Sequence, residues 1–195
     1  MNEEKRQQRH EHISNAAYAL LAEYGYRGTS MLSIAKAANA SNQTLYRWYG
    51  DKDGLFKQMV RDNAATTRKI LTEALDAQDE PKATLEKVAP VFLEMLLGER
   101  AILLNRAAAA DPSGNLGAAL SAGGRNEITP LLVEIVRPMC QFGGHDPMAA
   151  TRWLLGLLVG DWQVRRVINN CAAPSQEEIL ERTQGALRAF YRLLE

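Results

Sequence analysis

Five polar residues, Asn42, Gln43, Thr44, Tyr46 and Arg47, crowd around the single apolar Leu45. Asn and Gln can pair with adenine in bidentate fashion, Arg with guanine, and Thr can meet a base edge or a thymine methyl. Tyr46 and Lys52 suit phosphate oxygens, and Arg27 is a further basic candidate. Catalysis is poorly served. His10, His12 and His145 are the only imidazoles, and residues two apart on a helix do not face each other, so His10 and His12 read as a solvated face. Neither metal-ligand spacing nor a glycine-rich phosphate loop is present, so no enzyme activity, metal or cofactor is expected. Cys140 and Cys171 lack CxxC spacing and read as free thiols, although Arg137 near Cys140 keeps a redox sensor open.

The elements that position the polar run are helical, because apolar residues recur at three and four throughout and no β-branched run alternates. An all-α protein follows. A first helix is expected over about residues 5–24, with Ile13, Ala17, Leu20, Leu21 and Tyr24 on one stripe and Gly25 ending it. Thr29 and Ser30 offer cap oxygens to a short second helix, Asn39 tolerates the left-handed turn after it, and Ser41 caps a third helix over 42–49. Two short helices joined by a tight turn are the requirement for pushing one helix into a major groove, although a merely packed helical bundle would show the same spacing. A fourth helix is expected over about 53–77. After 79–81 the apolar faces lengthen, which suggests domains at 1–52 and 53–195.

In the second domain, 111–124 holds four glycines and Pro112 and reads as loop or short broken helix, the most mobile segment. Pro130 either starts a helix capped by Thr129 or kinks one begun near Ala118. A long apolar helix is expected over 147–169 and a last one over 176–194. The chain has 195 residues, 46% hydrophobic and 24% charged, with no net charge, which excludes wholesale disorder. Residues 1–60 carry eight Lys/Arg against six Asp/Glu, a weak positive bias. The densest apolar run, 153–160, ends at Asp161, far short of the roughly 20 residues that span a bilayer, and the polar first twelve residues do not read as a secretory signal. A cytoplasmic location is expected.

The run IAKAANASNQTLYRWYGDKDGLF, with AYALLAEYGYRGTS before it, resembles the N-terminal domain of TetR/AcrR-family transcriptional regulators over residues 9–60. The pattern is matched at Ala17, Gly25, Thr29, Ile34, Ala35, Ala38, Ser41, Thr44, Leu45, Tyr46, Lys52 and Leu55. It departs at Asn39 and Ala40, where Gly and Val are favoured, at Asn42, where a basic residue is common, and at Tyr49, where Phe is usual. The resemblance implies a homodimer that binds a palindromic double-stranded operator, usually as a repressor, and releases it when a small molecule enters the C-terminal domain. Two recognition helices then reach grooves about 34 Å apart or a multiple of that. The implied DNA contacts are Arg27, Thr29, Ser41, Asn42, Gln43, Thr44, Tyr46, Arg47 and Lys52. Effector candidates are Phe92, Met95, Leu96, Leu103, Arg106, Met139 and Trp162, since such pockets are mostly apolar with a few polar anchors. Dimer candidates, from the last two helices, are Trp153, Leu157, Val164, Leu187 and Phe190. A ligand carrier or protein partner with a vestigial DNA-binding domain is the remaining alternative.

Overall fold

The computed structural model describes residues 3–141, 143–169 and 171–195, and these are helical with no strand among them. Helix α1, Glu3–Gly28, is broken at Gly25 (φ 67°, ψ 177°), a conformation that disfavours a Cβ. Helix α2, Met31–Ala37, begins with a capping box in which Ser30 and Ser33 each satisfy the other's backbone N–H. Its cap is Ser30, not Thr29. Asn39 (φ 45°) turns the chain into α3, Asn42–Tyr49, where Ser41 Oγ accepts from Thr44 N at 3.0 Å. Helix α4, Lys52–Ala77, starts one residue before the expected position because Asp51 Oδ1 accepts from Gly54 N at 2.7 Å.

Helices as short as α2 and α3 are not stable alone, so tertiary burial must hold them. Ile13, Ala17, Leu21, Ile34, Ala35, Leu45, Leu55, Phe56 and Met59 form the first core. Each large apolar side chain fully buried there contributes roughly 1.5–3 kcal/mol. Packing continues past the start of α4, because Leu104, Ala107, Leu116 and Ala119 join the same core.

The second unit comprises α5, Pro81–Leu97; α6, Glu99–Ala109; α7, Asn115–Leu120; α8, Asn126–Val136; α9, Pro147–Val159; α10, Trp162–Asn169; and α11, Gln176–Leu193. Of the two readings of 111–124, the short helix holds from Asn115 onward. Asp111 accepts from Ser113 N at 3.0 Å and Leu116 N at 2.9 Å, and these bonds draw the turn into α7 and hold the carboxyl below its ordinary pKa. A π-helical turn, Ser121–Arg125, then carries α7 without interruption into α8. Pro130 therefore lies inside a helix already begun. The expected helix over 147–169 is instead two helices, because Gly160 (φ 51°, ψ −132°) turns the chain between α9 and α10. Leu71, Leu85, Leu132, Val136, Leu154 and Phe190 centre the second core.

Candidate nucleic-acid interface and effector cavity

On α3 the helical period sorts side chains by face. Leu45 is fully buried, Trp48 and Tyr49 are half-buried, and Ser41, Asn42, Gln43, Tyr46 and Arg47 are exposed together. Tyr46 keeps 50% of its surface in solvent, a large aromatic with no packing role to explain it. Thr44 is half-buried, with its hydroxyl 2.8 Å from that of Ser41. This face presents amide, guanidinium and phenol groups beside the N-terminus of α3, where backbone N–H groups favour anions. Arg27 is exposed beyond the break at Gly25.

Three contacts fix α3 against its neighbours. Asp62 Oδ2 lies 2.7 Å from His10 Nε2, and His10 Nδ1 lies 2.8 Å from the Tyr49 hydroxyl. An ionised Asp62 can only accept, so a neutral His10 donates from Nε2 and accepts from Tyr49 at Nδ1. Burial pushes the Asp62 carboxyl up, but hydrogen bonds from His10 and from Gln58 Nε2 (2.8 Å) outweigh it and hold the pKa below the ordinary value. Burial also drives the Tyr49 hydroxyl up to about 12. His10 is thus a half-buried bridge between α1, α3 and α4 rather than a solvated residue; His12 is exposed. Helix periodicity alone could not have distinguished them, because the partners Tyr49 and Asp62 are remote in sequence. The second contact is a cation–π approach of Arg6 to Trp48, 5.8 Å from the ring centroid. The third involves Gly54, where a Cβ would lie 1.9 Å from the Tyr49 carbonyl oxygen, so the C-terminus of α3 rests on α4 only because position 54 has no side chain.

Thr29, expected as a cap and DNA contact, and Lys52, expected on phosphate, both have partners within the chain. Thr29 is buried, and its hydroxyl donates to the Gly25 carbonyl at 2.8 Å. Lys52 Nζ donates to the carbonyls of Tyr26 (2.8 Å) and Thr29 (2.9 Å) and lies 4.0 Å from the Tyr26 ring centroid. Burial lowers its pKa. The Tyr26 hydroxyl donates to Asp53, so this cluster ties the segment after Gly25 to the start of α4. Its visible work is structural.

A cavity of about 380 Å³ is lined by residues of α4, α5, α6, α7, the π-turn, α8, α9 and α10. Phe92, Met95 and Leu96 line it as expected from the sequence, but four other candidates do not. Leu103 packs on the first core and Met139 on the second. Arg106 donates to the carbonyls of Val167 (3.0 Å) and Arg166 (2.9 Å), tying α6 to α10. Trp162 packs against Leu93, Leu97 and Ile179. Lining residues missed by the sequence reading include Asn63, Arg125, Thr129 and Gln163. Arg125 and Thr129 were hidden because the segment around them read as loop or as an undecided helix start.

Of the dimer candidates, Trp153 and Val164 are 40% and 58% exposed, and Leu157 is half-buried in a groove between α9 and α11. Leu187 and Phe190 are buried in the second core and offer no surface to a partner. Cys140 is buried, donates to the Val136 carbonyl at 3.5 Å and has its pKa pushed up by burial, while Arg137 is paired with Glu134 at 2.7 Å. That setting removes the basis for activating this thiol through Arg137.

Residues 13–59 match the family model for bacterial regulatory proteins of the tetR family. Over 88 residues the chain is 35% identical to the HTH-type transcriptional regulator BetI of Burkholderia mallei, covering 43% of each chain. It thus spans less than half the length of that curated relative. Among solved structures, a putative TetR-family transcriptional regulator from Mesorhizobium loti aligns over 99% of this chain and 98% of its own, with a TM-score of 0.76 and 24% identity. A TetR transcriptional regulator from Agrobacterium tumefaciens aligns over 95% and 93%, with a TM-score of 0.71 and 27% identity. The transcriptional regulator FadR of Bacillus subtilis, in complex with stearoyl-CoA, aligns over 92% and 96% with a TM-score of 0.72 at 16% identity.

Proposed function

Because the chain belongs to the TetR family of bacterial regulatory proteins, a family of regulators rather than enzymes, we propose that it is a sequence-specific DNA-binding transcriptional regulator. In this reading it acts in the cytoplasm as a homodimer, represses from a palindromic operator and is released by a small-molecule effector. The observation that carries the reading is the face of α3. Asn42, Gln43, Tyr46 and Arg47 stand exposed on a helix whose opposite side is locked into the first core through Leu45 and through the Tyr49–His10–Asp62 chain. A rigid helix with free base-reading side chains is what direct readout in the major groove requires.

The effector half rests on the cavity, which has the size and apolar character of a small-molecule site. The FadR neighbour holds an organic ligand, stearoyl-CoA. An effector that favours the state with the wrong separation of recognition helices by about 1–3 kcal/mol gives the usual range of control. Support for the dimer comes from the exposed apolar side chains of Trp153, Val164, Ile168 and Leu180, and from the groove between α9 and α11 at Gly156, Gly185 and Ala189. No described helix is long and apolar enough to cross a membrane.

Selection of bound duplexes from a random library tests the DNA half. The expected result is an enriched palindrome with the wild-type protein and none with the Tyr46→Ala, Arg47→Ala double variant. No enrichment at low salt without effector, or equal enrichment by the variant, would overturn the reading.

A further inference from the structure

Resting on the effector reading above, we infer that the cavity takes a compact, largely apolar molecule ending in one carboxylate-like anion, and that Arg125 selects for that end. Size sets the first limit. At about 30 Å³ per water-sized group, 380 Å³ holds roughly a dozen non-hydrogen atoms. Charge sets the second. Among the described residues no aspartate or glutamate lines the cavity, and Arg125 is the one charged residue that does. A cationic ligand would find a single aromatic ring, Phe92, and no counter-charge, which is a poor match for ammonium recognition.

Arg125 is also uncommitted. Its side chain makes no hydrogen bond or ion pair among the described residues, unlike Arg61 and Arg68, which share Glu127. Thr129 follows one helical turn later on the same face, and Asn63 approaches from α4, against which this segment packs. Neither of these two side chains has a hydrogen-bond partner in the described structure. By contrast, Asn105 and Gln163 already donate to the carbonyls of Ala101 (2.8 Å) and Leu96 (3.2 Å). The free donors of Arg125 and Thr129, with the amide of Asn63, therefore suit two acceptor oxygens. Arg125 is exposed, so a bound anion at the cavity mouth keeps part of its hydration and escapes the full cost of burying a charge.

The position of Arg125 follows from the π-turn. Gly123 brings that turn against α4 so closely that a Cβ there would lie 3.1 Å from Val60 Cγ1 and 3.2 Å from Arg61 Cγ. Such turns recur at functional sites because they re-aim side chains that a regular helix would point elsewhere.

Calorimetry and thermal melts with decanoate and 2-naphthoate, each beside its neutral primary amide, test the inference on the wild type and on Arg125→Gln without DNA. At least one acid is expected to bind the wild type, with its amide tenfold or more weaker, and Arg125→Gln should bring the acid down to the amide's level. The variant's melting temperature without ligand should be unchanged, since the Arg125 side chain has no hydrogen bond or ion pair to lose among the described residues. Amides binding as tightly as acids, an acid preference that survives Arg125→Gln, or no binding by any of the four compounds would overturn the inference. None of these outcomes bears on operator selection. An acid that binds but leaves the selected duplex bound would instead fault the effector reading and leave the ligand class standing.

Discussion

Lys52 spends its ammonium on two backbone carbonyls beside the break in α1, so its replacement tests packing more than DNA contact. Lys52→Met should cost about 1.5–3 kcal/mol in urea unfolding, the range for losing a hydrogen bond to a charged group. It should leave the salt dependence of DNA affinity unchanged, whereas Arg47→Ala should alter it or relax base preference. Asp62 predicts a pH effect. Its folded pKa lies below the ordinary 3.8, so the unfolded chain binds more protons through that window and stability rises with pH. The contribution is present above the ordinary value and is lost as pH falls through the folded one. Acid unfolding followed by far-UV circular dichroism should therefore show a flatter low-pH limb for Asp62→Asn. At this scale the sequence showed which residue types could face DNA, but not which were already engaged. The exposed Asn42, Gln43, Tyr46 and Arg47 follow from helical period alone, whereas the partners of Lys52 and His10 lie 23 to 52 residues away in sequence.

Helices α2 and α3 were legible because their starts are written locally, in Ser30 and Ser41 as caps and in Asn39 as a left-handed turn, whereas the cap of α4, Asp51, read as part of a break and put the helix one residue late. The break between α9 and α10 was not, because Gly160 sits on an apolar stripe where a glycine reads as a small packing residue and its positive φ leaves no mark on periodicity. The join of α7 to α8 was obscured by glycines and Pro130, which signal a loop unless surrounding helices enforce otherwise. Gly54 supplies the test at this scale. In Gly54→Ala a Cβ would collide with backbone rather than with a yielding side chain, so α3 or α4 must shift. The expected outcome is a lower melting temperature together with loss of duplex binding, read by calorimetry and fluorescence anisotropy on the same sample. Normal values for both would show that α3 does not depend on this close approach.

Across the whole molecule, the division between surface and core separates two kinds of apolar residue on α9, α10 and α11. Light scattering after size exclusion should give about twice the 21.6 kDa chain mass for the wild type. Trp153→Glu with Leu180→Glu should reduce it to one chain while the fold persists, because both side chains are substantially exposed. Leu187→Ala should instead lower stability by about 2–5 kcal/mol, the cost of a cavity in a packed core. The π-turn at Ser121–Arg125 has a consequence for the phase of the fold. Leu116 and Ala119 before it pack into the first core, and Ile128 and Leu132 after it pack into the second. A π-turn is in effect a one-residue insertion in an α-helix, and deleting that residue would rotate α7 by about 100° about its axis relative to α8. Two hydrophobic stripes that now point into different cores from one continuous helix would fall out of step.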